Sequence, residues 1–163
     1  MTRHSLIELT HGNMQFSAGH FCVFSSTERE SLHGHTYTVH AAFLVEIGEM
    51  GLSFDLREYQ QKLSTLCEQL DLGVLIAGAC PHFRITHDDC YTTIHFAEEK
   101  MLFLKRDIKI LPLSNITLEE LSFWIAQQLL LDQSLLRKHH IKEVTIKVSS
   151  GADRAASSTL SVS

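Results

Sequence analysis

Long apolar runs, basic clusters and paired cysteines are all missing from this chain of 163 residues. No stretch approaches the roughly 20 consecutive apolar residues that a helix needs to cross a bilayer. The opening residues, Met1-Thr2-Arg3-His4-Ser5, lack the apolar core of a secretory signal. Lys and Arg number 14 against 19 Asp and Glu, a net charge of −5 with histidine neutral, and the cations nowhere gather. A nucleic-acid footprint needs a concentrated basic face, which argues against that partner. Cys22, Cys67, Cys80 and Cys90 form no Cys-x-x-Cys pair, and a chain of this length does not depend on disulfides. Repeats, linkers and low-complexity segments are absent as well. These absences predict a soluble, cytoplasmic protein with reduced thiols and with neither a membrane nor a nucleic-acid partner.

What is present suits one domain over residues 1–163. Hydrophobic residues make up 44% and charged residues 20%, ordinary values for a chain able to bury a substantial core. Residues 6–24 and 35–48 are rich in Phe, Val, Thr and Tyr, which favours strands, and the polar stretch 25–31 joins them as a loop. Asp55 is a plausible N-cap for a helix whose apolar positions Leu56, Tyr59, Leu63, Leu66 and Leu70 recur at helical spacing. Gly73 to Pro81 reads as a break. Tyr91–Phe96 and Met101–Leu104 suggest a hairpin. Thr117 opens a second helix, with Glu120 completing a capping box, and Leu118, Leu121, Ile125, Leu129 and Leu130 supply its stripe. Ile141 to Val148 alternates as a strand, and Leu160 and Val162 suggest a short final one. This order predicts an α+β fold: an antiparallel four-stranded sheet with two helices packed on one face. The open edges of so small a sheet make oligomerisation physically reasonable.

Chemistry concentrates in Phe16-Ser17-Ala18-Gly19-His20 and Leu32-His33-Gly34-His35-Thr36-Tyr37. His33 and His35 are two apart, so on a strand both rings leave the same face, and Gly34 keeps the opposite face small. His20 reaches the same point if the two stretches pair antiparallel. Three neutral imidazoles without a fourth protein ligand describe a catalytic zinc with an open position rather than a structural one. The bland alternative is three histidines hydrogen-bonded within the sheet.

The two stretches, together with Gly51-Leu52-Ser53-Phe54-Asp55-Leu56, Leu70-Asp71 and Leu111-Pro112-Leu113-Ser114-Asn115-Ile116-Thr117-Leu118-Glu119-Glu120-Leu121, resemble the 6-pyruvoyl-tetrahydropterin synthase and 6-carboxytetrahydropterin synthase family. Its members show F-S-A-A-H, L-H-G-H-N-Y-x-V, G-x-x-x-D-F and L-P-x-x-N-T-T-x-E-x-L-A in this order. Only the ends and the segment around residues 78–95 match poorly. The resemblance implies a tunnelling fold, in which sheets of several subunits join into an oligomeric barrel with active sites at subunit interfaces. The chain is then expected to be a homo-oligomer, a trimer or hexamer, that takes a small-molecule pterin substrate. It implies zinc as the cofactor, held by His20, His33 and His35, and acting as a Lewis acid on the pterin side chain. Thr117 and Glu119 match the residues that contact the ring, usually from a neighbouring subunit, although a helix start also explains them.

At other positions the chain departs from the family. Many members carry a cysteine four residues before the first histidine of H-G-H; here Arg29 stands there and cannot accept a proton. Glu30 instead matches a variant form, E-x-x-H-G-H, associated with making 6-hydroxymethyl-dihydropterin. A carboxylate beside zinc is competent as a base, and the competing reading of Glu28-Arg29-Glu30 is a solvated loop. Asp71 matches the aspartate of a catalytic Asp-His pair, but Leu72 replaces its histidine. His82, His87 and His95 follow in the poorly matched segment; they read as surface residues, the alternative being that one of them replaces that histidine. Where the family has a glutamate for the 2-amino-pyrimidinone edge, this chain has Ser149 and Ser150. Cys22 shares a strand face with His20, either as a thiolate near zinc or as a small buried hydrophobe.

The expected activity is therefore a zinc-dependent lyase acting on 7,8-dihydroneopterin triphosphate or a close relative. The competing classes are a divergent zinc-binding paralogue that holds a pterin- or purine-like ligand without turnover, and a zinc hydrolase on an unrelated substrate.

Overall fold

The computed structural model of the chain describes residues 3–10 and 12–163. Among these, the strands in chain order are β1 Arg3–Leu9, β2 Gln15–His20, β3 His33–Ile47, β4 Gly73–Ala77, β5 Arg84–His87, β6 Tyr91–Phe96, β7 Glu99–Leu104, β8 Ile108–Leu111, β9 Ile141–Ser150 and β10 Arg154–Ser161. The helices are α1 Leu56–Leu70, α2 Leu118–Leu130 and the short α3 Gln133–Lys138. None is long and apolar enough to cross a membrane.

The long strand β3 is the spine. Its odd-numbered residues Tyr37, Val39, Ala41, Phe43 and Val45 are all buried, as the two-residue period of a strand with one core face requires. One edge of β3 pairs antiparallel with β9. The other pairs with β2 along its first half and with β1 along its second. The apolar stretch 6–24 is thus two strands rather than one. At the join the Val39 N–H donates to the Met14 carbonyl at 2.8 Å, keeping the spine's donors satisfied.

The expected four-stranded antiparallel sheet is corrected to a seven-stranded mixed one, ordered β10-β9-β3-β2-β4-β8, with β1 also on β3. The difference comes largely from β4, which runs parallel to both β2 and β8 and occupies the segment that reads as a break. Leu75 and Ala77 join the main core while Ile76 joins a second, smaller one. A strand buried on both faces carries no alternation to betray it. Gly78 follows because a Cβ there would lie 2.7 Å from the Ile110 side chain and 2.9 Å from the Leu111 carbonyl oxygen. The strand β10 is also longer than Leu160 and Val162 alone suggest. The expected hairpin exists as β6 and β7 and gains β5 to make a separate three-stranded sheet. Phe21, Ile76 and Ile94 pack between it and the main sheet.

Helices α1 and α2 bury Tyr59, Leu63, Leu70, Leu121, Ile125 and Leu129 into the main core. The Asp55 carboxylate caps α1 by accepting the Arg57 N–H at 3.0 Å. Thr117 caps α2 by accepting the Glu120 N–H at 3.2 Å. The Glu120 carboxylate turns to the Ser114 hydroxyl, 3.4 Å away, so the capping box is only half made. The third helix, α3, is not foreshadowed by the apolar pattern, because at six residues it is too short to show a helical period.

Candidate metal centre

The face of β3 that supplies the core becomes polar at its N-terminal end, where Tyr37, His35 and His33 continue the same side. In the antiparallel register with β2, Ala18 lies opposite His35 and His20 opposite His33. Directly opposed residues have Cβ atoms about 5 Å apart, so three imidazoles converge. Their ring centroids are 4.6, 5.2 and 4.8 Å apart, and ligand atoms from all three lie within 4.8 Å of one another.

Two of the rings are oriented by backbone carbonyls. His20 Nδ1 lies 2.9 Å from the Ile116 oxygen and His33 Nδ1 lies 2.8 Å from the Ser31 oxygen. A carbonyl only accepts, so each Nδ1 carries the proton and each Nε2 keeps its lone pair. The Nε2 of His20 is buried and has no hydrogen-bond partner. Burial also lowers the pKa of His20, so the ring stays neutral. The Nε2 atoms of His33 and His35 are 3.0 Å apart. Convergent imidazoles, two of them with the outer nitrogen held by a carbonyl, are the donor set and second layer that a zinc site uses.

Glu30 reaches the same point from the loop after β2. Its carboxylate accepts the Cys22 N–H at 3.0 Å, and its own N–H donates to the Cys22 carbonyl at 2.8 Å. Burial acts to raise the pKa of Glu30. Hydrogen bonds from the Cys22 backbone and thiol, the leading opposing causes, help to outweigh it and hold the carboxyl below its ordinary value. His20, Cys22 and Glu30 form a second group whose ligand atoms lie within 4.8 Å of one another. Burial, followed by the Glu30 carboxylate, pushes the Cys22 thiol up to about 12. Its sulfur lies 3.3 Å from the Ile116 carbonyl oxygen, the same oxygen that meets His20.

Asn115 fixes this arrangement, a role that its place in the quoted motif does not disclose. Its side-chain amide accepts the Val23 N–H at 3.0 Å and donates to the Val23 carbonyl at 2.8 Å. It thereby acts as a strand neighbour to the loop and delivers the Ile116 carbonyl to His20 and Cys22. Arg29 faces away from the histidines. Its guanidinium pairs with Glu99 at 2.6 Å, lies 5.0 Å from the centre of the Phe21 ring, and donates to the Glu30 carbonyl at 2.8 Å.

The histidines open into a cavity of 190 Å³ that also receives Thr117, Glu119, Ser150 and Arg154. Thr117 and Glu119 thus join the histidines of their own chain. A larger groove of 680 Å³ between α1 and α2 shares no residue with this cavity. The family model for 6-pyruvoyl tetrahydropterin synthase matches residues 10–159. This chain belongs to that family.

Solved structures agree in fold. The 6-pyruvoyl tetrahydropterin synthase of Plasmodium vivax is 23% identical, with a TM-score of 0.92 over 98% of this chain and 99% of the other. That of Plasmodium falciparum is 23% identical, with a TM-score of 0.91 over the same shares, 98% and 99%. A variant of the P. vivax protein, with a catalytic glutamate replaced by cysteine, is 22% identical with a TM-score of 0.91 over 98% and 99%. At such identities these likenesses speak for the fold alone. No curated protein matches the chain. The family is one of pterin-metabolism lyases.

Asp71, the family-matched partner of a catalytic pair, does not line the cavity. It caps the end of α1, and its carboxylate accepts the Ser17 N–H at 2.7 Å, while the Leu72 N–H donates to the Ser17 carbonyl at 2.8 Å. These two bonds extend the β2–β4 ladder by one step. Leu72 has a left-handed φ of 56° and an exposed side chain. His82 and His87 are exposed and His95 is half-buried; none of the three lines the cavity. Ser150, one of the two serines at the family's glutamate position, is buried on the cavity wall.

Proposed function

We propose that the chain is a zinc-dependent lyase acting on 7,8-dihydroneopterin triphosphate or a close relative, with the Glu30 form of the site favouring 6-hydroxymethyl-dihydropterin as product. The observation that carries this reading is the partnerless buried Nε2 of His20 facing the rings of His33 and His35 beside the Glu30 carboxylate. Zinc held by His20, His33 and His35 would supply Lewis-acid stabilisation of charge developing on the substrate side chain.

Glu30 is the proton acceptor. Its pKa lies below the ordinary carboxylate value, so it is ionised at neutral pH, and its anchoring by Cys22 fixes where the accepting oxygen sits. The catalytic glutamate of the P. vivax enzyme supports this role by analogy. Glu119 and Thr117 would hold the ring from the start of α2. Asp71 would act through its tether on β2. The reading includes a homo-oligomeric barrel in the cytoplasm, with one domain spanning the chain.

A second reading, ligand binding without turnover, is favoured by one specific observation: Leu72 and Ser150 stand where the family has a histidine and a glutamate. The two separate in one experiment. Zinc-loaded protein is incubated with 7,8-dihydroneopterin triphosphate and the products are identified by mass spectrometry. A cleaved side chain supports the lyase. Intact substrate that co-elutes with the protein supports binding alone.

A further inference from the structure

One row of side chains crosses three strands beside the histidines. Tyr37 of β3 is paired with Ser150 of β9, and Ser150 with Arg154 of β10. Opposed residues on antiparallel strands share a face, and all three line the 190 Å³ cavity. Each presents a donor: a phenol, a hydroxyl and a guanidinium.

The row has unused hydrogen-bonding capacity. The Tyr37 side chain is 1% exposed, and its oxygen is sealed from solvent without a partner. A buried hydroxyl in that state is costly unless something satisfies it. Ser150 beside it is also buried. Arg154 brings the cavity's one guanidinium, a permanent charge, and among the described residues it forms no salt bridge. The cavity's carboxylates, Glu30 and Glu119, come from other elements, the loop after β2 and the start of α2. Glu30 is already engaged by the Cys22 N–H. A donor row ending in an unpaired guanidinium matches an anionic oxygen group, which it can meet with charge-assisted hydrogen bonds.

We propose that Tyr37, Ser150 and Arg154 form an anion subsite, so that the ligand held beside the histidines carries a carboxylate or a phosphate. This rests on the cavity being the ligand site and does not require a pterin ring. A neutral pterin edge would leave the row unmatched, whereas an acidic substituent would fill it.

The test uses zinc-loaded full-length protein, with Arg154→Gln and Arg154→Lys. Binding is followed by pterin fluorescence for two pairs of probes: 6-carboxypterin against 6-hydroxymethylpterin, and dihydroneopterin triphosphate against dihydroneopterin. The first pair tests a carboxylate source and the second a phosphate source. The parent should favour the anionic member of at least one pair by about tenfold. Arg154→Gln should abolish that preference with zinc content unchanged, and Arg154→Lys should restore part of it. Equal affinity within both pairs for the parent, or an equal loss for both members in Arg154→Gln, overturns the subsite. If no pterin binds, the pterin reading fails, and the subsite is decided on cobalt-substituted protein titrated with acetate and with inorganic phosphate. Anion binding weakened about tenfold in Arg154→Gln sustains it; identical titrations overturn it.

Discussion

At the scale of single residues, the site depends on which nitrogen of each ring is free. Carbonyls at Ile116 and Ser31 hold the protons on the outer nitrogens of His20 and His33, leaving the inner ones for a metal. Replacing His33 or His35 by Ala should therefore abolish zinc binding by elemental analysis, and full occupancy in both variants would contradict the assignment. A pH effect follows from His20. Its folded-state pKa lies below the ordinary 6.5, so unfolded chains take up a proton there before folded ones do. The resulting stabilisation is complete above the ordinary value and is lost as pH falls below it. Metal-free protein should melt at a lower temperature at about pH 5.5 than at about pH 7.5, and His20→Ala should flatten that difference; an unchanged slope in the variant would refute it. His33 and His35 are legible in the sequence as a candidate metal pair because their two-residue spacing puts both rings on one strand face, whereas Glu30 is legible only through the resemblance to the E-x-x-H-G-H form. The Ile116 carbonyl is not, because any residue could supply it, and Arg154 reaches the cavity only through the register of β9 and β10.

At the scale of elements, the loop bearing Glu30 is held from both sides. Asn115 stitches Val23 to the segment before α2, and Arg29 ties the loop to Glu99 on the small sheet. Asn115→Ala removes both bonds to Val23 and should cost about 1–3 kcal/mol in a denaturant titration, with weaker zinc retention. A stability within error of the parent would show the loop to be self-supporting. The Arg29–Glu99 pair is half exposed on the glutamate side, so its own worth is small, roughly 0.2–1 kcal/mol by a double-mutant cycle with Glu99→Ala. Coupling indistinguishable from zero would remove the clamp. Both main helices and the hairpin are readable from apolar period and caps. The parallel strand β4 is not, because Val74 to Ala77 has core on both faces and glycines at either end, a pattern shared with a turn.

At the scale of the whole molecule, the seven-stranded sheet ends in β10 on one side and β8 on the other, and both edges offer unpaired backbone groups. Light scattering at micromolar concentration should find an oligomer larger than a dimer; a monomer would contradict the barrel. In the proposed function a zinc site made by three strand histidines works with Glu30 as its proton acceptor. Glu30→Gln keeps size and the three imidazoles but cannot accept the proton. The most direct measurement is the rate at which parent and Glu30→Gln, matched for zinc content, consume 7,8-dihydroneopterin triphosphate. A fall of about a hundredfold or more is expected in the variant; equal rates would place proton acceptance on another group.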